Sequence, residues 1–372
     1  MQEQGVQMSN RYQSMRAMVA AGGTGGHVFP ALAVAQELSR RGAQIRWIGS
    51  SSGMESRVVS AAGIGFCGLK IRGLRRAGLT RWVQAPVQLF AALWMAVREM
   101  RRFRPQVVLA MGGYVSGPSG LAAWLLRVPL VVHEQNSIPG TTNRLLRPLA
   151  RRVLTGFPVP DWMPAAQAVG NPVRAPIAEL AAAEPVETTD AADRPVRLLV
   201  LGGSQGAQAL NELVPGALAL LSSIRLEVWH QCGAGKDVDT TRLYRAAQLD
   251  ARVEPFIEDM ARAYRWADVA VCRAGALTVS ELCCAGVPAV LVPFPHAVDD
   301  HQFANAQWLE RAGGAKVMRE HDLNPSKLAA LVSELATDQA ARTRMAACAH
   351  EQARPDAAVQ VADCCAAVAR AA

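Results

Sequence analysis

The arrangement that most restricts this chain's fold occurs twice. Met15–Ala21 reads as a strand that runs into Gly22-Gly-Thr-Gly-Gly-His27, with a helical stretch at Ala31–Arg41. Arg197–Leu201 reads as another strand, running into Gly202-Gly-Ser-Gln-Gly206 and the helical stretch Ala207–Leu221. A strand that turns on glycines directly into a helix opens a parallel sheet covered by helices on both faces. Pro30 is expected in the first helical turn, where its missing N–H costs little. More strands are expected at Gln44–Ile48, Gln106–Ala110 and Leu130–His133, then at Leu226–His230, Val269–Cys272 and Ala289–Val292. The fold class is therefore α/β, with two Rossmann-like domains.

The chain's 372 residues exceed one ordinary core and suit two. The expected division is a polar tail over 1–14, a first domain over 15–170, a second over 171–355, and a last helix over 356–372 that crosses back to the first. The linker is placed near 165–195. At 51% hydrophobic and 19% charged residues, both halves can bury a core, and abundant alanine with few aromatics favours helices packed on sheets. None of the eight cysteines has metal-ligand spacing, so they read as reduced, buried thiols of a cytoplasmic protein. The apolar run Ala17–Ala21 is too short for a signal peptide, and no stretch of about 18 apolar residues would span a membrane.

The net charge of +8 is unevenly spread. Residues 1–170 carry 20 Lys/Arg against 6 Asp/Glu, a net +14, whereas 171–372 carry 19 against 25, a net −6. A strongly basic half points to phosphate-rich partners: nucleic acid, anionic lipid or a diphosphate. Aromatic residues are sparse and no nucleic-acid module is visible, so nucleic acid is not expected.

The glycine loop Gly22–His27 fails as a dinucleotide fingerprint. Val28 stands where the third glycine belongs, and the next strand ends in Trp47-Ile-Gly-Ser-Ser51 without an acid for a ribose. What remains is a set of backbone N–H groups suited to anionic oxygen, with His27 at the helix start facing substrate. Gly112-Gly-Tyr-Val-Ser-Gly-Pro-Ser-Gly120 follows another strand, and Gly113, Tyr114 and Ser116 there suit a diphosphate; a plain turn is the alternative. His133-Glu-Gln-Asn136 ends a third strand at the edge where open α/β sheets bind ligands, with Glu134 a candidate general base.

The strongest motif is Arg273-Ala-Gly-Ala-Leu-Thr-Val-Ser-Glu281. Its helix N-terminus can hold a diphosphate, Thr278 adds a hydroxyl, and Glu281 lies one turn on, where a carboxylate can bridge both ribose hydroxyls. Together these describe a grip on a sugar nucleotide. Pro293–His296 and Asp299–Gln302 form a polar loop toward the same edge. Asp237-Val-Asp239 has the form of a metal-binding D-x-D but reads as surface, and Gly235-Lys236 lacks P-loop spacing. No metal is assigned; help from Mg²⁺ stays open.

Basic and bulky apolar residues alternate over 70–82: Lys70, Ile71, Arg72, Leu74, Arg75, Arg76, Leu79, Arg81 and Trp82. This reads as a patch whose apolar tips enter an anionic lipid surface, against the alternative of a solvated loop.

Gly22–His27, Gly112–Gly120, His133–Asn136, Asn171-Pro-Val-Arg174, Gly202-Gly-Ser-Gln-Gly-Ala207 and Arg273–Glu281 resemble, in that order, the motifs of the MurG family. These bacterial transferases add N-acetylglucosamine from UDP-GlcNAc to lipid I, giving lipid II for peptidoglycan. The resemblance implies a GT-B fold, in which two Rossmann-like domains with parallel sheets face a central cleft. It implies a donor site of Thr24, Gly25, Gly26, Asn136, Arg174, Ser204, Ile257, Ala276, Leu277, Thr278, Val279, Ser280, Glu281 and Gln302. Either His301 or Gln302 would take the sugar contact. Ile257 would face uracil through its backbone and Arg174 would meet the diphosphate. His27, Gly113, Tyr114 and Ser116 would lie at the lipid diphosphate, with His27 and Glu134 rival bases for an inverting transfer. The implied setting is the cytoplasmic face of the bacterial inner membrane, held peripherally, beside other cell-wall synthesis proteins. The alternatives are a UDP-GlcNAc 2-epimerase of the same fold and a non-catalytic membrane-associated cell-wall scaffold.

Overall fold

The computed structural model describes residues 12, 14–71, 79–158, 163, 165–182, 194–203 and 205–371. The chain forms two compact units. One runs to Arg174 and regains the chain from Asp356 onward; the other is Ala175–Pro355. Asn171–Arg174 thus belongs with the first unit instead of the second. Asn171 shows why, since its side-chain amide donates to the Gln135 carbonyl at 3.0 Å.

The first unit holds β1 (Arg16–Ala20), β2 (Gln44–Ser50), β3 (Gly65–Leu69), β4 (Val107–Ala110), β5 (Leu130–Glu134), β6 (Arg152–Thr155) and β7 (Gln167–Ala168). They form one parallel sheet in the order β3-β2-β1-β4-β5-β6-β7. β1, β4 and β5 are almost wholly buried, as expected of strands covered on both faces. The strand order reverses between β1 and β4, and ligands of such sheets bind beyond the strand ends at that switch point. The loops after β1, β4 and β5 are the three motifs read from this half.

The helix after β1 spans Gly25–Arg40, starting six residues earlier than expected. Thr24 is its extended N-cap, so His27 falls in the first turn and Pro30 in the second. The final helix, Ala357–Arg370, packs on this unit. Val361, Ala362, Cys365, Ala366 and Val368 share a core with Val34, Ala35 and Leu38. Burying each of the two valines contributes about 1.5–3 kcal/mol. Asp363 accepts from the Tyr12 hydroxyl at 2.8 Å and from Arg41 at 2.6 Å, tying down its outer face.

The second unit repeats the plan with β8 (Val196–Leu201), β9 (Leu226–Gln231), β10 (Ala251–Glu254), β11 (Val269–Cys272), β12 (Ala289–Leu291) and β13 (Ala315–Val317). All are parallel, in the order β10-β9-β8-β11-β12-β13. The switch point lies between β8 and β11, which carry the Gly202 loop and the Arg273 turn. Glycine is required where loops touch: Gly206, at φ +70°, would put a Cβ 2.1 Å from the Cys232 carbonyl oxygen, and Gly113, at φ +79°, one equally close to that of Gly22. No helix among the described residues is long and apolar enough to cross a membrane.

Candidate active site

In the first unit, three switch-point loops converge on His27. Gly112 lies so near the imidazole that a Cβ there would stand 2.7 Å from Nδ1. Gln135 Oε1 lies 2.8 Å from the same Nδ1. The Gln135 amide nitrogen is 3.1 Å from both His133 Nδ1 and the His133 carbonyl oxygen, and His133 Nε2 is 2.9 Å from the Gly170 carbonyl oxygen. His133 is fully buried, and that burial pushes its pKa down to about 4. Tyr114 packs beside Gly23, with its ring edge 3.6 Å from where a Cβ would be. Arg174, where the chain leaves this unit, lies over the Phe29 ring at 5.3 Å.

Glu134 is buried and its carboxylate is already engaged. Oε1 accepts from the Asn136 backbone N–H at 2.9 Å and its side chain at 3.3 Å. Oε2 accepts from the Gly140 N–H at 2.9 Å and Asn143 Nδ2 at 2.8 Å. Donors on both oxygens make the carboxylate the organiser of the 135–143 loop. Ser116 is also committed inward: it is buried, and its hydroxyl lies 2.7 Å from the Gly112 carbonyl and 2.8 Å from that of Ala20. Its hydroxyl therefore locks the loop from within.

In the second unit, Gly275 is the extended N-cap of the helix Ala276–Ala285, and no acid occupies the first turn to repel an anion. The Thr278 hydroxyl lies at that helix mouth, within 3.7 Å of where a Gly275 Cβ would stand, whereas Ser280 donates its hydroxyl back to the Ala276 carbonyl at 2.9 Å. Ala276, Leu277 and Val279 are buried and anchor the turn. Glu281 is 4% exposed, and its Oε2 accepts from the buried Tyr264 hydroxyl at 2.9 Å. Arg273 donates to the carbonyls of Val292 and Pro293 and pairs with Glu320, binding the strand end to its neighbouring loops. Gln302 Oε1 accepts from the Phe294 N–H at 3.0 Å, fixing the polar loop, and His301 opens the following helix. Ile257 is buried beside exposed Phe256.

Thr24, Gly25, Gly26, Asn136 and Arg174 thus belong to the first unit, and Ile257, Ala276–Glu281 and Gln302 to the second; Ser204 lies outside the described residues. Sequence reasoning missed Gln135, Asn143 and Tyr264. The first lay inside a quoted motif but carried no charge, and the others support from a distance. Asp237 and Asp239 begin a helix, with Asp239 paired to Arg242 at 3.0 Å.

Of the lipid patch expected over 70–82, only the side chains of Lys70 and Ile71 are among the described residues. Ile71 is buried in the core with Leu69, Ala92 and Ala96, so it is no membrane tip, while Lys70 is exposed. Arg72, Leu74, Arg75 and Arg76 lie outside the described residues, as do the side chains of Leu79, Arg81 and Trp82. The exposed apolar surface lies further on. In the helix Leu79–Phe103, Ala92, Ala96 and Met100 face the core, while Val87, Phe90 (71% exposed) and Trp94 (57%) face outward. The neighbouring helix Ser116–Leu125 exposes Trp124 and Leu125, and Thr141–Leu146 exposes Leu145.

Residues 17–155 match the glycosyltransferase family 28 N-terminal domain and residues 197–361 the family 28 C-terminal domain. The chain is 51% identical over 355 residues to the UDP-N-acetylglucosamine–N-acetylmuramyl-(pentapeptide) pyrophosphoryl-undecaprenol N-acetylglucosamine transferase of Nitrosococcus oceani, covering 95% of this chain and 98% of that one. The protein of the same name from Alkalilimnicola ehrlichii is 50% identical, with the same coverage. Among solved structures, Acinetobacter baumannii MurG is similar with a TM-score of 0.78 and 40% identity, covering 94% of this chain and 99% of that one. The two parallel-sheet units are those of the GT-B fold. With both domains matched in order and half the residues shared with full-length relatives, the chain belongs to the MurG branch of glycosyltransferase family 28.

Proposed function

We propose that this chain transfers N-acetylglucosamine from UDP-GlcNAc to the 4-hydroxyl of the N-acetylmuramyl residue of lipid I, releasing UDP and lipid II with inversion at the anomeric carbon. The observation that carries this reading is 51% identity along nearly the whole chain to a transferase of that name. The site residues fit its chemistry. In the second unit, Glu281 takes the ribose hydroxyls and the N-terminus of the Ala276 helix takes the diphosphate. In the first, His27 Nε2 removes the proton from the acceptor hydroxyl as it attacks, with Tyr114 and the Gly113 loop at the lipid diphosphate. Charge on the departing UDP is met by that helix terminus, an arrangement that needs no resident metal.

The acceptor is a membrane lipid, and the exposed Phe90, Trp94, Trp124, Leu125 and Leu145 supply an apolar surface to meet it. Exposed Arg98, Arg101, Arg102, Arg127, Arg144 and Arg147 lie on or just after the same helices and favour anionic headgroups. The protein accordingly works peripherally, at the cytoplasmic face of the inner membrane. Transfer of label from UDP-GlcNAc to a lipid I analogue, beside a reaction without acceptor, tests the assignment. Acceptor-dependent product is expected; an epimer formed from UDP-GlcNAc alone would replace it with epimerase chemistry.

A further inference from the structure

Two backbone carbonyls dictate the protonation pattern around His27. A carbonyl oxygen can only accept, so the Gln135 group 3.1 Å from the His133 carbonyl must be its NH₂. That leaves the Gln135 oxygen turned to His27, 2.8 Å from Nδ1. At the other end, the Gly170 carbonyl requires His133 Nε2 to carry a proton. His133, held neutral by complete burial, then offers a lone pair at Nδ1 to the second hydrogen of the Gln135 amide.

We infer that Gln135 and His133 are positioning residues that hold His27 as the Nδ1–H tautomer, so that Nε2 carries the lone pair aimed at the acceptor hydroxyl. This rests on His27 being the base. Free imidazole side chains favour the other tautomer, with the proton on Nε2, which cannot take a proton there. The Gln135 carbonyl reverses that preference without charge, where other enzymes use a carboxylate. The Asn171 side chain holds the Gln135 backbone carbonyl at 3.0 Å, so the relay is fixed at main chain as well as side chain.

The tautomer can be read directly. Long-range ¹H–¹⁵N spectra of the full-length protein labelled at histidine, with His27 assigned by the signal lost in His27→Ala, should show Nδ1 protonated and Nε2 unprotonated at pH 8. Gln135→Leu removes all three side-chain hydrogen bonds; it should shift His27 toward the Nε2–H form and lower kcat about 10- to 100-fold with the KM for UDP-GlcNAc nearly unchanged. Gln135→Glu keeps an acceptor facing Nδ1 but turns its other oxygen toward the His133 carbonyl and Nδ1, so it should hold the Nδ1–H signal of His27 while losing the bonds to His133. An Nε2–H signal in the unaltered protein overturns the inference whether or not any variant folds. An unchanged tautomer in a folded Gln135→Leu protein does so too. Near-normal turnover of His27→Ala would instead remove His27 as base, a separate failure.

Discussion

Tyr264 donates its hydroxyl to Glu281 Oε2 at 2.9 Å, both side chains being buried, one from the helix Met260–Trp266 and one from Ala276–Ala285. The bond fixes the carboxylate's rotamer before any nucleotide arrives, so donor binding does not bear the cost of ordering it. Hydrogen bonds to charged groups are worth about 1.5–3 kcal/mol. Tyr264→Phe should therefore raise the KM for UDP-GlcNAc about tenfold and leave kcat within a few-fold, while Glu281→Ala should raise KM further. Steady-state kinetics with varied donor decides this; an unaltered donor KM in Tyr264→Phe would show that the hydroxyl does not set the carboxylate.

His27 and Glu134 separate by what each substitution damages. Glu134→Gln places an NH₂ among the donors of Asn136, Gly140 and Asn143, leaving at least one of them unpaired at a cost of about 1–3 kcal/mol. A unit of this size should lose a few degrees of Tm for that, roughly 2–4 °C per kcal/mol. His27→Ala should leave Tm almost unmoved and lower kcat about 10²- to 10⁴-fold. Were Glu134→Gln to keep its Tm and lose turnover as His27→Ala does, Glu134 would be the better base.

The proposal that the exposed apolar surface meets lipid is tested by Phe90→Ser with Trp94→Ser. Each removed side chain forfeits about 1.5–3 kcal/mol of apolar burial. Sedimentation with vesicles containing anionic phospholipid should show binding weakened at least 100-fold, with transfer to a water-soluble acceptor analogue retained. Binding by the unaltered protein should also weaken as salt is raised, because the exposed arginines act through a screened field. Undiminished vesicle binding by the double variant would move the membrane contact elsewhere.

Residues 15–21 with their glycine turn, and 197–206 with theirs, revealed the sheets because strand and turn chemistry are local. Arg273–Glu281 was legible for the same reason: a helix start and a carboxylate one turn on lie within nine residues. What was not legible depends on distant partners. Glu134 reads as a base and Ser116 as a diphosphate contact in isolation, and the groups that hold their oxygens are brought in by the fold. Ile71 alternates with basic residues as a membrane tip would, but β3 carries it into the core. The edge strands β7, β10 and β13 gave no pattern because, unlike the equally short but wholly buried β11 and β12, they lack a continuous apolar run. Phe90 and Trp94 were hidden in a helix whose inward side is merely alanine and methionine.

Two buried histidines, one in each unit, set the acid limit of stability. His133 has its pKa pushed to about 4 and His230 to about 3, in both cases by burial, against 6.5 when exposed. His230 is held between the Tyr244 hydroxyl at 2.9 Å and Asn211 Oδ1 at 3.0 Å, and Asn211 in turn donates to the Cys232 carbonyl beside the Gly206 turn. Above pH 6.5 both rings are neutral folded or unfolded, and stability is at its full value. Below it the unfolded chain takes up protons that the native units cannot, so stability falls by about 1.4 kcal/mol per pH unit for each histidine. By pH 4 each unit should have lost about 3 kcal/mol from this source. Urea unfolding at pH 7.5, 6.5, 5.8 and 5.2 samples the window in which ordinary carboxylates remain charged. Stability should hold between the first two points and decline at the last two. A profile flat to pH 5.2 would mean that both rings protonate in place, against the burial that holds them neutral.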